Sequence, residues 1–160
     1  MGEMIKVGMA DLKVCRAPDN LTTIGLGSCI GIAIYDPVTK ISGLAHIMLP
    51  DSTAIRNNSN IAKFADTGIK KLVDDMIRMG ASKSRLRAKI AGGAKMFDMG
   101  GASAINVGDR NAAASREMLK KLGIPLIAED CGKNFGRTVE LYSENGDFLI
   151  KAVGKTPYKI

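Results

Sequence analysis

The sequence has few of the residues that bind metals or enter membranes. Its 160 residues include one histidine, His46, and three cysteines at positions 15, 29 and 131. No Cys-x-x-Cys pair occurs, and a structural zinc site needs closely spaced Cys or His ligands, so we expect no metal and no other cofactor. No apolar run is long enough for a signal peptide or a membrane span. We therefore expect a cytoplasmic protein with free thiols and no membrane insertion.

Aromatic residues are also scarce, which bears on the interpretation of the positive charge. The net charge is +7, yet the chain has no tryptophan and only three tyrosines and four phenylalanines. Nucleic-acid interfaces combine clustered basic residues with aromatic rings for base stacking, and no such cluster occurs here. We expect no nucleic-acid partner and interpret the charge as a solvated basic surface, with an acidic protein partner as the alternative.

The hydrophobic pattern predicts a mixed α/β (α+β) protein in one domain spanning 1–160. Asn60 is the predicted cap of the first helix, and Asp109 or Asn111 that of the second. The segment 36–39 is predicted as a hairpin turn, and both strands beside it are apolar on both faces, so their sheet should be covered on both sides. Alternating or continuous apolar residues predict strands at 5–14, 29–35, 41–48, 86–94, 125–130, 137–143 and 147–153, and helical spacing predicts helices at 61–79 and 106–123.

The glycine-rich stretch TTIGLGSCIG, residues 22–31, contains the first candidate site. A dinucleotide fingerprint has the spacing G-x-G-x-x-G and opens a helix, whereas Gly25, Gly27 and Gly31 have a wider spacing and lead into a strand. The phosphate-binding Gly-Lys-Ser/Thr sequence is absent as well. A tight structural turn and the seat of a cysteine nucleophile remain as interpretations.

The predicted hairpin gives Cys29 a partner. If residues 36–39 form the loop, Cys29 lies directly opposite His46, with their Cβ atoms about 5 Å apart on one face. An imidazole in that position can take the thiol proton, and the amides of Gly25, Gly27 and Ser28 can converge on an oxyanion. The alternative is a purely structural role, in which Cys29 is a buried cysteine and His46 a histidine of the core.

Six blocks of the sequence together resemble the CheD family of chemoreceptor glutamine deamidases, in the expected order and over essentially the whole chain. The first two blocks contain Cys29 and His46. The blocks are Thr23-x-Gly25-Leu26-Gly27-Ser28-Cys29, Ala45-His46-x-Met48-Leu49-Pro50-Asp51-Ser52, Lys63-x-Ala65-Asp66-Thr67, Lys89-Ile90-Ala91-Gly92-Gly93-Ala94, Asn106-x-Gly108-x-Arg110-Asn111 and Ala128-Glu129-Asp130.

The resemblance implies a catalytic set of Cys29, His46 and Thr23. It implies hydrolysis of glutamine side chains on methyl-accepting chemotaxis receptors to glutamate, through a thioester. It also implies layered mixed sheets with helices outside, as in the cytotoxic necrotizing factor-type fold, and a CheC phosphatase as partner. We interpret Arg110 and Asn111 as residues of the substrate cleft, with helix capping as the alternative.

Two other functions are to be weighed against glutamine deamidation. The chain could act mainly as a regulatory partner that stimulates a CheC-type phosphatase, because such a partner would occupy the same cleft. A thiol peptidase is disfavoured, because nothing in the sequence indicates an extended peptide groove.

Overall fold

The computed structural model describes residues 2–96 and 106–160, which form two mixed β-sheets and two α-helices. The strand orders are β1-β3-β8-β9-β10 and β2-β5-β4-β6-β7. None of the described helices is both long and apolar enough to span a membrane. The strands are β1 Met4–Val7, β2 Leu12–Arg16, β3 Asn20–Leu26, β4 Ile30–Asp36, β5 Ile41–Ile47, β6 Arg87–Gly92, β7 Leu126–Cys131, β8 Arg137–Leu141, β9 Phe148–Lys151 and β10 Tyr158–Lys159; the helices are α1 Ala65–Met79 and α2 Val107–Lys121, with 3₁₀ turns at Ser52–Ala54, Ile61–Lys63 and Lys83–Arg85.

The hairpin β4–β5 lies at the centre of a three-layer arrangement. Every residue of both strands is buried. A Cβ placed on Gly43 would lie 2.7 Å from Leu72 of α1, so one face of the hairpin packs against the helices. A Cβ on Gly31 would lie 3.0 Å from Leu26 of β3, so the other face packs against the first sheet. The predicted mixed α/β class, with layered sheets, outer helices and a sheet covered on both faces, is confirmed.

The two helices differ from the prediction at their N-terminal ends: α1 begins later in the chain, and α2 has a different cap. Asn60 caps the separate 3₁₀ turn Ile61–Lys63, and α1 starts only at Ala65, although it ends at Gly80 as expected. The cap of α2 is Asn106, whose side chain accepts a hydrogen bond from the Asp109 amide at 3.0 Å. Neither predicted cap of the second helix is correct, because both residues lie inside it.

The N-terminal region departs most from the predicted pattern. The predicted strand 5–14 is two strands, since the chain turns at Ala10, where φ is +56°. β1 pairs in parallel with β3 in the first sheet, and β2 pairs antiparallel with β5 in the second. β3 itself was predicted as part of a glycine loop, because Gly25 obscures an otherwise strand-like run.

The register of the central hairpin differs from the predicted one by two residues. Asp36 belongs to β4 and pairs with Ile41, so the loop is 37–40. The Asp36 carboxylate accepts hydrogen bonds from the Val38 amide at 2.9 Å and from the Arg85 side chain at 3.0 Å, which ends the strand one residue later. His46 therefore pairs with Gly31, and the predicted direct pairing with Cys29 is wrong. A shift of two residues preserves the faces of a strand, so Cys29 and His46 still share one.

Candidate active site

A three-residue turn between β3 and β4 carries Cys29. Gly25 has φ +79°, a conformation in which L side chains are strained, and its carbonyl accepts from the Gly27 amide at 3.1 Å. β3 ends at Leu26 and β4 begins at Ile30, so 27–29 form the reversal. Cys29 is only 7% exposed and belongs to the core between the two sheets. The glycines thus place a thiol at the edge of a packed core.

The end of β6 fixes the backbone of this turn. The Ala94 amide donates to Gly27 O at 2.8 Å, and the Gly93 amide donates to Cys29 O at 2.9 Å. Gly92 has φ +113°, and a Cβ there would overlap Cys29 O, so the close approach requires glycine. The pair Gly92–Gly93, at the end of the predicted strand 86–94, therefore holds the turn that bears the thiol.

Asn111 of α2 joins this turn to the end of β5. It is fully buried, and its Nδ2 donates to Ser28 O and to Met48 O, each at 2.9 Å. Ser28 precedes Cys29 by one residue, and Met48 follows His46 by two. One side chain therefore couples the segments that carry the candidate nucleophile and the candidate base. Asn111 Oδ1 is buried and has no hydrogen-bond partner among the described residues.

Arg110, the neighbour of Asn111, has a different environment. Its side chain is exposed and lines a small cavity of about 160 Å³ together with Leu49, Pro50 and Val107. The structure therefore separates two residues that the sequence predicts to line one cleft. Asn111 contacts the backbone beside Cys29, and Arg110 faces an adjacent apolar depression.

Thr23 of β3 contacts His46 across the two sheets. Thr23 Oγ1 lies 2.7 Å from His46 Nδ1 and 2.8 Å from the carbonyl oxygen of Val7. A hydroxyl has one proton, and a carbonyl can only accept. Both short distances are satisfied together when Thr23 donates to Val7 and accepts from Nδ1–H. Neutral His46 then carries its free lone pair on Nε2, the tautomer that a base acting through Nε2 requires.

His46 Nε2 is buried and has no hydrogen-bond partner in the described part of the chain. The residue opposite His46 is Gly31, which has no side chain. Cys29 lies two residues before Gly31, just ahead of β4, and packs in the same core between the sheets as Leu44 of β5. Diagonal neighbours on two paired strands have Cβ atoms about 7–8 Å apart or less, a spacing that an imidazole can span. No hydrogen bond joins Cys29 Sγ to Nε2 among the described contacts, and such bonds are often long until substrate binds.

Burial sets the protonation of the pair. It raises the pKa of the Cys29 thiol and lowers the pKa of the His46 imidazole. Both effects oppose charge, so the resting pair is a thiol and a neutral imidazole.

The other two cysteines lack such a partner. The Cys15 thiol donates to Asp19 O at 3.4 Å, and burial raises its pKa. Burial, with the charge of Glu129, raises the pKa of the Cys131 thiol to about 12. The sequence has a single histidine, His46, and Cys29 is the cysteine that shares its face of the central hairpin.

Comparison with known proteins identifies the family of this chain. A family model described as CheD chemotactic sensory transduction matches residues 48–152, more than half of the chain. A protein of Lachnoclostridium phytofermentans is 57% identical over 100% of both chains. The chain belongs to the CheD family. A Caldanaerobacter subterraneus protein is 55% identical over 95% of this chain and 94% of its own, and a Moorella thermoacetica protein 53% identical over 98% and 94%.

These CheD relatives are each named probable chemoreceptor glutamine deamidase CheD. The match of the family model begins after Cys29 and His46, whereas the alignments with the relatives cover nearly all of the chain. Among solved structures, a Bacillus licheniformis hypothetical protein, YfiH, is similar with a TM-score of 0.48 and 18% identity, over 80% of this chain and 58% of that chain. The family assignment does not depend on that likeness.

Proposed function

We propose that the chain hydrolyses glutamine side chains of chemotaxis receptors to glutamate, with Cys29 as nucleophile and His46 as base. The observation that supports this most directly is the Thr23–His46 contact of 2.7 Å, which leaves an unpaired Nε2 on the face that also carries Cys29. The family supplies the substrate class, because its members are named chemoreceptor glutamine deamidases. In this role the chain is a protein-glutamine glutaminase.

The reaction proceeds in two halves. His46 Nε2 takes the Cys29 proton as sulfur bonds to the amide carbon, and the imidazolium then protonates the departing nitrogen, which leaves as ammonia. The remaining thioester is attacked by a water whose proton passes to Nε2. Collapse of the second tetrahedral intermediate breaks the carbon–sulfur bond, the thiolate recovers its proton, and the product is a glutamate side chain.

The turn that carries Cys29 supplies the oxyanion site in this proposal. The carbonyls of Gly27, Ser28 and Cys29 all accept hydrogen bonds from the protein. The Ser28 amide, in contrast, donates to no acceptor within the described residues. A fixed amide beside the nucleophile stabilises the tetrahedral oxyanion without reorganisation. Gly25 shapes this turn through its positive φ.

Mass spectrometry of a chemoreceptor cytoplasmic fragment incubated with the enzyme tests the proposal. We expect conversion of selected glutamines to glutamates, with one ammonia released for each conversion. Unchanged glutamines in a folded fragment would contradict the function, and cleaved backbone would indicate a peptidase instead. The same spectra identify the glutamines that react.

Asn111 offers a test of how the site is positioned. We expect Asn111→Ala to lower kcat about ten-fold with little change in KM, because the Cys29 and His46 segments lose their shared anchor. Two buried carbonyls would also lose their donor, so unfolding should become easier by about 1–3 kcal/mol. Steady-state kinetics and thermal unfolding measure the two effects.

Arg110→Ala is the matched control for that variant, because it changes the adjacent, exposed residue of the same helix. We expect its stability to stay within about 0.5 kcal/mol of wild type. Equal kcat for the two variants would contradict a positioning role for Asn111, and a raised KM for Arg110→Ala alone would support its place in the substrate cleft.

Two parts of the proposal rest on the family resemblance. They are the methyl-accepting receptors as substrates and a CheC phosphatase that binds the same face. We also propose a cytoplasmic location, as expected from the sequence. The regulatory alternative, in which stimulation of that phosphatase is the main output, uses the same surface around Cys29.

A further inference from the structure

A basic cavity of about 810 Å³ lies beside the ends of β6 and β7. We call it the lysine pocket, defined by Lys95, Lys133, Asn134, Phe135, Lys155 and Tyr158. Its three lysines are exposed, and none has a carboxylate within ion-pair distance among the described residues. The mechanism proposed above uses none of these side chains.

The one acidic residue in the wall of the lysine pocket is already paired. Asp130 Oδ2 accepts from Arg137 Nε at 3.1 Å and from the Tyr158 hydroxyl. The Arg137 side chain is 0% exposed, and its Nη2 has no hydrogen-bond partner in the described part of the chain. Asp130 is therefore neutralised from within the protein, and the lysine charges remain available to an external anion.

An aromatic ring orients one of these lysines. Lys155 Nζ and Arg137 Cζ each lie 4.6 Å from the centroid of the Phe135 ring. A cation over an aromatic face is attracted by the ring quadrupole, which limits the freedom of the lysine side chain. The ammonium group is thus held at the pocket rather than dispersed in solvent.

The lysine pocket is connected to the Cys29 turn by backbone hydrogen bonds. The Lys95 amide donates to Lys133 O at 2.9 Å, and the preceding residue, Ala94, donates to Gly27 O at 2.8 Å. The pocket and the nucleophile therefore share the same end of β6. A protein segment that presents its glutamine to Cys29 would carry neighbouring residues towards the lysines.

We propose that the lysine pocket binds carboxylates that flank the target glutamine on an acidic receptor segment. This rests on the proposed function. Each turnover converts a neutral amide into a carboxylate and so adds the charge that the lysines attract. A segment that has already been deamidated once is consequently the better substrate at its next glutamine. Three lysines opposite acidic side chains would also accelerate encounter, in a salt-dependent way.

A charge-reversal pair tests the pocket directly. We expect Lys133→Glu combined with Lys155→Glu to lower kcat/KM on the receptor fragment about ten-fold at low salt. This deficit should vanish at about 0.5 M salt, where such charges are screened. The matched control combines Lys83→Glu with Lys120→Glu, which makes the same change of net charge at exposed lysines elsewhere. Equal losses in both double variants, or no loss, would overturn the proposal.

A binding experiment separates this proposal from the proposed function. Fluorescence anisotropy would compare a labelled glutamate-rich helical peptide with its glutamine-rich counterpart, using wild-type protein. We expect tighter binding of the acidic peptide, lost in the Lys133/Lys155 variant and kept in the control. Retention of this difference with no deamidation would mean that only the proposed function fails. Equal binding of both peptides, or stronger binding of a single-stranded oligonucleotide at the same lysines, would overturn the pocket's role.

Discussion

Cys29→Ala should abolish deamidation, with kcat/KM on the receptor fragment reduced by about 10⁴-fold or more, because loss of a nucleophile removes the covalent route and leaves only binding. The fold should survive. Cys29 is a small residue at the edge of the core, with 7% of its surface exposed, so replacing sulfur by hydrogen costs roughly 1 kcal/mol or less. Ammonia release and mass spectrometry measure the activity, and thermal unfolding checks the fold.

The control for that variant is Cys131→Ala. Cys131 is half-buried on β7, and its raised pKa of about 12 keeps it a thiol. It has no histidine beside it, so we expect wild-type turnover. Activity that persists in Cys29→Ala and disappears in Cys131→Ala would transfer the nucleophile to β7 and contradict the site described here.

The shared face of Cys29 and His46 could be predicted from the sequence, whereas their register could not. The face of a strand on which a side chain lies is set by the two-residue period of the strand, so a register shift of two positions does not change it. Register depends on where the turn starts, and here Asp36 stays in the strand because Arg85, distant in sequence, binds its carboxylate. Long-range contacts of this kind leave no local signal.

The residues that position Cys29 and His46 also depend on long-range contacts that the sequence does not reveal. The family motif identifies Thr23, but the glycines around it hide its strand, because Gly25 lies inside β3 with a positive φ. The bond from Thr23 to Val7 O depends on the parallel pairing of β1 with β3, two segments whose pairing no local pattern specifies. Asn111 was predicted as a cleft residue or a cap. Its contacts with Ser28 and Met48 arise only when α2 packs beside β4.

Thr23→Val should lower kcat about 10- to 100-fold while substrate binding changes little, because the cost of one buried hydrogen bond to His46 is of that order. Valine has nearly the shape of threonine but cannot accept from Nδ1–H. His46 is then free to protonate Nε2 instead, which removes the lone pair that must receive the Cys29 proton. Thr23 acts through His46 and is therefore a positioning residue.

The pH profile separates this role from a merely structural one. The active form needs neutral His46 and the Cys29 thiol, and burial lowers the first pKa and raises the second, so wild-type activity should be flat from below about pH 6.5 to above about pH 8.5. The Thr23 oxygen stabilises the imidazolium through Nδ1–H. Losing it lowers the pKa of His46 further and moves the acidic limb of kcat/KM to lower pH.

Two variants complete the test. Thr23→Ser keeps the hydroxyl and should recover most of the activity together with the wild-type acidic limb. Thr22→Val removes the neighbouring hydroxyl, which donates to Val139 O at 2.8 Å and does not contact His46. The acidic limb of the kcat/KM profile should therefore stay at its wild-type pH in this variant. A limb that moves to higher pH in Thr23→Val, or that moves equally in Thr22→Val, would mean that Thr23 does not hold the His46 tautomer.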